Sequence, residues 1–321
     1  MNVDKGYVEC EIPAGINIVS EIRRLAKEKN AVILAHYYQR PEIQDIADGI
    51  GDSLALAQEA AKTDAKIIVM CGVHFMGETA KILCQDKKVL VPDVSAGCSL
   101  ADSCPAGEFE KFVKANPGYT VISYVNTSAT VKALTDVVVT SSNAKKIVDS
   151  FPMEEKIIFG PDRNLGNYIN GVTGRNMKLW DGACDVHEKF SIEKILKLKE
   201  ENEGAKILVH PECKAPVRIV ADKIGSTKAL LEYAIKSDSD KFIVATESGI
   251  IHEMRKKCPN KTFIPAPPED GKCSCNECSY MKQITLEKLY NCLKYELPEI
   301  EVDKETAEKA IKPIKRMLKL S

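Results

Sequence analysis

Cys98, Cys184 and Cys278 are the side chains of this sequence best placed to hold a metal. His36, Tyr38, Tyr124, Asn126, His210 and Glu212 are the ones best placed to move protons or bind substrate beside it. Three thiolates brought to one point suit an iron–sulfur cubane, which ordinarily takes four cysteines. With only three, one iron has no protein ligand, and an open metal position marks a catalytic site, where the metal acts as a Lewis acid on substrate oxygen. A zinc ion held by three cysteines and completed by a histidine such as His187 is the competing reading. Cys273 and Cys275 form a C-x-C-x-x-C run with Cys278, but no second CxxC accompanies it, so an independent zinc finger is not expected. Cys10, Cys71, Cys84, Cys213, Cys258 and Cys292 are scattered and read as small buried hydrophobes.

What would bring such residues together is an internal repeat. Three apolar, β-branched segments, Ala31–Tyr38, Tyr119–Asn126 and Ala205–Glu212, each follow an amphipathic stretch, Ile16–Lys29, Gly107–Ala115 and Ser191–Glu203. A small polar turn opening another helix comes after each, and it carries Ser53, Ser141 or Ser226. His36 to Ser53 and Tyr124 to Ser141 are both 17 residues, and His210 to Ser226 is 16. Second strands are expected at Lys66–Gly72, Lys156–Asp162 and Lys241–Glu247, and third strands at Lys87–Asp93, Asn176–Gly182 and Lys261–Pro267. Just beyond each third strand lies one of the three cysteines, 45, 43 and 52 residues after the turn serine. The expectation is an α/β chain of three pseudo-symmetric αβα three-layer sandwich domains with parallel sheets around a central cluster site. The repeats are expected at 1–104, 105–188 and 189–281, with 282–321 as C-terminal helices packing back on the first.

Ligands of parallel α/β units bind beyond the carboxyl ends of the strands. Alignment of the repeats puts His36 with Tyr124 and His210, and Tyr38 with Asn126 and Glu212, all at such ends. Taken singly, a strand-end histidine is a satisfied structural residue; corresponding positions in three units point to a site. Ser53, Ser141 and Ser226 stand at expected helix starts, where a serine caps free backbone N–H groups. Three helix N-termini aimed at one cavity also make anion sites, suited to carboxylates or a phosphate.

The composition agrees with an ordinary soluble protein. Of 321 residues, 44% are apolar and 28% charged, and 45 Lys+Arg balance 46 Asp+Glu to a net charge of −1. That leaves no basic field for nucleic acid. The N-terminal MNVDKGYVEC carries charges where a signal peptide needs an apolar run, and no apolar run is long enough to span a membrane. A cytoplasmic location is expected, so the 12 cysteines point to metal or catalytic chemistry rather than disulfides.

Several long motifs carry a resemblance. LAHYYQRPEIQDIADGIGDSLALAQEA, the SAGC around Cys98, YVNTSA, TSSNA, FGPDRNLG, HPEC and IGST together resemble the quinolinate synthase family, collinearly from Ile33 to Met281, and KPIKRML near the C-terminus is also similar. The resemblance implies three αβα domains around a [4Fe–4S] cluster held by Cys98, Cys184 and Cys278. It implies condensation of iminosuccinate (iminoaspartate) with dihydroxyacetone phosphate to quinolinate, phosphate and water in NAD biosynthesis, the imine being supplied by an aspartate oxidase or aspartate dehydrogenase. His36, Ser53, Tyr124, Asn126, Ser141, His210, Glu212, Ser226 and Thr227 match the family's substrate-binding positions, and Tyr38, Tyr124, His210 and Glu212 its catalytic ones. Many members space the third ligand C-x-x-C-x-x-C. Here Cys278, followed by Met281 and Lys282, is the matching ligand, with Cys275 the fallback. Another open-iron hydro-lyase acting on a small dicarboxylate is the alternative activity. A non-enzymatic cluster or zinc sensor would leave the strand-end His, Tyr, Asn and Glu unexplained.

Overall fold

A computed structural model describes residues 3–270 and 276–321; Cys273 and Cys275 lie outside the described residues. Among the described residues the chain is α/β, with three four-stranded parallel sheets flanked by helices. The first sheet contains β1 (Ala31–His36), β2 (Gly49–Gly51), β3 (Ile67–Cys71) and β4 (Lys88–Leu90), in the order β2-β1-β3-β4. The second contains β5 (Thr120–Tyr124), β6 (Val137–Val139), β7 (Ile157–Gly160) and β8 (Lys178–Leu179), in the order β6-β5-β7-β8. The third contains β9 (Lys206–Val209), β10 (Lys223–Ile224), β11 (Lys241–Ala245) and β12 (Thr262–Pro265), in the order β10-β9-β11-β12. One strand order thus recurs three times. The central strands are runs of Ile and Val buried along most of their length, as parallel strands covered on both faces must be.

Register reproduces the repeat atom by atom. Ala35 pairs with Cys71, Ser123 with Gly160 and Val209 with Ala245, each just before the strand-end residue His36, Tyr124 or His210. In the first and third sheets an aspartate fastens the edge. Asp48 accepts from the Ile33 N–H and Asp222 from the Ile207 N–H, both at 2.8 Å.

All nine expected strands are present, but each stops short of its expected end. His210 and Glu212, like Tyr38 and Asn126, therefore stand in the loop beyond a strand rather than on it. The sequence reading had no strand at β2, β6 or β10. Two or three residues are too few to show a period, and they form only because a longer neighbour offers its edge. The serines also differ from expectation. Ser226 caps the helix Thr227–Lys236, accepting from the Ala229 N–H at 3.3 Å. Asp52, not Ser53, caps Ser53–Lys62, accepting from the Ala55 N–H at 3.0 Å, and Ser141 lies before the Asn143 that precedes Ala144–Asp149. Asp52 competes successfully because its carboxylate, one residue earlier, already has the extended backbone a cap requires.

Contacts divide the chain into two compact units, one of residues 1–102, 125–138 and 279–319, the other of 103–124, 139–278 and 320–321. In the first, the helix Leu286–Tyr295 packs on Ile18–Glu28, and the Ile300 N–H donates to the Val89 carbonyl at 2.8 Å, laying the C-terminal segment along β4. Gly77 makes that seam possible, since a Cβ there would lie 2.5 Å from Val91 Cγ2 and 2.9 Å from Ile300 Cγ1. In the second, Phe190, Ile195, Ile207, Val209, Val217 and Ile243 form a continuous apolar core beneath the third sheet. Among the described residues no helix is long and apolar enough to cross a membrane.

Candidate active site and metal centre

Beyond β5 and β9, in the second unit, four titratable side chains meet out of solvent. Glu212, His210 and His187 are each 2% exposed and Tyr124 is 4% exposed. The Tyr124 hydroxyl donates to Glu212 Oε1 at 2.5 Å. His187 Nδ1 lies 3.1 Å from Glu212 Oε2 and 3.2 Å from Cys184 Sγ, while its Nε2 lies 3.0 Å from Thr246 Oγ1. The His210 ring stacks on that of His187 with centroids 4.6 Å apart, and its Nε2 is 3.3 Å from Ser141 Oγ. Ser142 donates to Ser226 at 2.8 Å. The fold thus brings together Tyr124, Ser141, Cys184, His210, Glu212 and Ser226, with Thr227 beginning the capped helix.

The loop beyond each first strand repeats one local device. The Glu212 N–H points at His210 Nδ1 at 3.4 Å, and in the first unit the Tyr38 N–H donates to His36 Nδ1 at 3.1 Å. An accepting Nδ1 leaves the proton on Nε2 of His36, whereas His210 Nδ1 also faces Glu212 Oε1 at 3.6 Å. For His187 the two acceptors beside Nδ1, a thiol sulfur and a carboxylate, place a proton there instead.

Burial pushes the Glu212 carboxyl up, but the imidazoles of His187 and His210 and the bonds from His187 and Tyr124 outweigh it, holding it below the ordinary glutamate value. Asp162, fully buried at the end of β7, moves the other way. Burial and the charge of Glu212 raise it, against the N–H groups of Leu165 and Cys184 that it binds.

His36, Tyr38, Ser53, Cys98 and Asn126 belong to the first unit. His36 and Tyr38 meet edge to face with ring centroids 4.5 Å apart, and Lys282 Nζ holds the Tyr38 carbonyl at 2.7 Å. Cys98 opens the short helix Ser99–Asp102, its carbonyl accepting from Asp102. Lys132 is wholly buried, donating to the Thr127 carbonyl; burial pushes its ammonium down to about 8, with Glu78 and Cys98 pulling the other way.

Sequence reasoning missed Asp162, Thr246 and Glu247 altogether and saw His187 only as a possible zinc ligand. The first three close the second strands of their repeats, so the same rule that found His210 and Glu212 applies to them. Lys132 and Glu78 gave no signal, because an electrostatic interaction between two separate helices has no sequence period.

The comparisons with known proteins bear on this geometry. Residues 20–319 match the family model described as Quinolinate synthetase A protein. A quinolinate synthase of Chloroherpeton thalassium is 56% identical over 306 residues, 95% of each chain. That of Thermosynechococcus vestitus is 55% identical over 309 residues, 96% of this chain and 97% of its own. This chain belongs to the quinolinate synthase family. It is therefore an enzyme of that family.

Whether its residues fit the cluster implied for the quinolinate synthase family is answered by the state of the thiols. Cys98, Cys184 and Cys278 share intermediate exposure, Cys10 is exposed, and the other described cysteines are buried. Burial pushes Cys104 up to about 12 and raises Cys71, Cys84, Cys213 and Cys292, which disfavours in them the thiolate that a metal needs. Among the described cysteines away from the N-terminus, Cys98, Cys184 and Cys278 are thus the accessible ones, a donor set that suits such a cluster. Within the second unit, Cys184 Sγ, a His187 nitrogen and a Glu212 oxygen also lie within 4.8 Å of one another, a set that could hold a metal ion.

Proposed function

We propose that the chain condenses iminosuccinate with dihydroxyacetone phosphate to give quinolinate, phosphate and water for NAD biosynthesis, using a [4Fe–4S] cluster held by Cys98, Cys184 and Cys278, one from each of the repeats 1–104, 105–188 and 189–281. The observation that carries the reading is the buried chain Tyr124–Glu212–His187–Cys184, which joins a proton-handling pair to a thiol ligand. When bound, such a cluster supplies Lewis acidity through an iron without a protein ligand.

The chain's own residues do the rest. Glu212, charged at rest, takes the proton that Tyr124 relays, while the His210 imidazole steadies a developing negative charge. Tyr38, carrying an ionisable hydroxyl beside His36, serves as a further acid–base group. The capped start of Thr227–Lys236, with Ser226 and Thr227, and the serines 53 and 141 with His36 and Asn126, receive the carboxylates and the phosphate. Burial around Glu212 excludes water that would hydrolyse the imine. The imine would come from an aspartate oxidase or aspartate dehydrogenase in the cytoplasm.

Anaerobic reconstitution with iron and sulfide tests this. About four of each should bind per chain, and quinolinate should form only when both substrates are present. Cys98→Ala, Cys184→Ala and Cys278→Ala should each lose the cluster and the activity. Zinc uptake without sulfide would instead favour a mononuclear site on Cys184, His187 and Glu212.

A further inference from the structure

Two carboxylates outside the proton-handling group occupy equivalent places and do the same thing. Asp162 stands two residues past Gly160, the partner of Ser123 in the second sheet. Glu247 stands two residues past Ala245, the partner of Val209 in the third. Each is 0% exposed. Asp162 accepts from the Leu165 N–H with Oδ1 at 2.8 Å and from the Cys184 N–H with Oδ2 at 3.1 Å. Glu247 accepts from the Gly249 N–H with Oε2 at 2.7 Å and from the Cys278 N–H with Oε1 at 3.1 Å. One oxygen is thus tied to the start of the following helix and the other to the backbone of a cysteine loop. The equivalent position of the first sheet, two residues past Cys71, is Val73, which has no side-chain acceptor and makes no cap.

A helix cap needs only one oxygen, and Ser191 and Ser226 do that work with a hydroxyl. Burying a carboxyl group is costly unless both oxygens are matched. The second oxygen is matched in both repeats by the backbone of a cysteine proposed as a ligand, Cys184 or Cys278. A hydrogen bond to its backbone N–H fixes the direction of the cysteine's Cα–Cβ bond, and with it the line along which the sulfur approaches a metal.

Resting on that ligand assignment, we propose that Asp162 and Glu247 are positioning residues, paired carboxylate clamps that preset the Cys184 and Cys278 loops for the cluster, while the Cys98 loop carries no such clamp at Val73. The amide variants keep shape and one acceptor oxygen but turn an NH2 group toward one of the two N–H donors.

The test compares the anaerobically reconstituted parent with Asp162→Asn and Glu247→Gln, and with Ser191→Ala as a cap-loss control in the same unit. Iron release to an excess of a ferrous chelator should be about 10- to 100-fold faster in both amide variants and unchanged in Ser191→Ala, with the reduced cluster's electron paramagnetic resonance spectrum shifted only in the amide variants. Parental release rates and spectra in both amide variants overturn the clamp, as does equal acceleration in Ser191→Ala at equal loss of apoprotein melting temperature. Should Asp162→Asn not fold, Glu247→Gln decides. A parent that binds no iron and sulfide overturns the ligand assignment itself, a failure distinct from a loaded parent with unaffected variants.

Discussion

Glu212 is charged without contact with bulk water, and its two oxygens are shared among Tyr124, His187 and His210. Its amide would fill the same space and leave Cys184 in place. Glu212→Gln should therefore retain iron and sulfide at parental stoichiometry while quinolinate formation falls by about 10²- to 10⁴-fold, the range of a lost general base. Parental turnover would remove Glu212 from the reaction. At this scale the sequence was informative where a residue's position in a repeat implied its neighbours, as for His210 and Glu212. It named His187 only as a possible zinc ligand. That residue's importance comes from a thiol one helical turn away and a carboxylate beyond the next strand, and only folding brings the second of these to the ring.

Helices and strands carry these side chains, and the element whose start is best defined is Thr227–Lys236. Ser226 caps it and receives the Ser142 hydroxyl. Ser226→Ala removes one acceptor at the helix start and should lower stability by about 1 kcal/mol. If this end binds an anionic substrate group, KM should rise more than kcat falls; equal effects on both would place the serine outside the binding set. The long strands and their helices were legible because Ile and Val runs and three-to-four-residue apolar spacing persist for a whole element. The edge strands β2, β6 and β10 were not, nor was the exchange of Ser53 for Asp52 as cap. Either residue can cap, and which one does depends on where the turn from β2 ends.

Across the molecule, one strand order occurs three times, and the threefold recurrence of strand, serine and cysteine in the sequence was enough to expect it. What no local pattern shows is how distant segments are fastened. Glu296 bridges Lys29 at 2.8 Å and Lys88 at 2.6 Å, tying the end of Leu286–Tyr295 to the first sheet. Its hydrogen bonds from those lysines hold its carboxyl below the ordinary glutamate value. A depressed value in the folded chain means stability that is present above the unfolded value and lost as pH falls through the folded one. The melting temperature of Glu296→Gln should thus lie below the parent's near neutral pH and converge on it as the solution is acidified through the carboxylate range. A gap that stays constant on acidification would show the bridge contributes nothing. The first unit also draws on residues 279–319 to cover helix Ile18–Glu28 and the edge of β4. During translation, the opening hundred residues must therefore wait, with an apolar face uncovered, until residues 279–319 have left the ribosome. What is made first is finished last, and that interval is when a nascent-chain chaperone matters most.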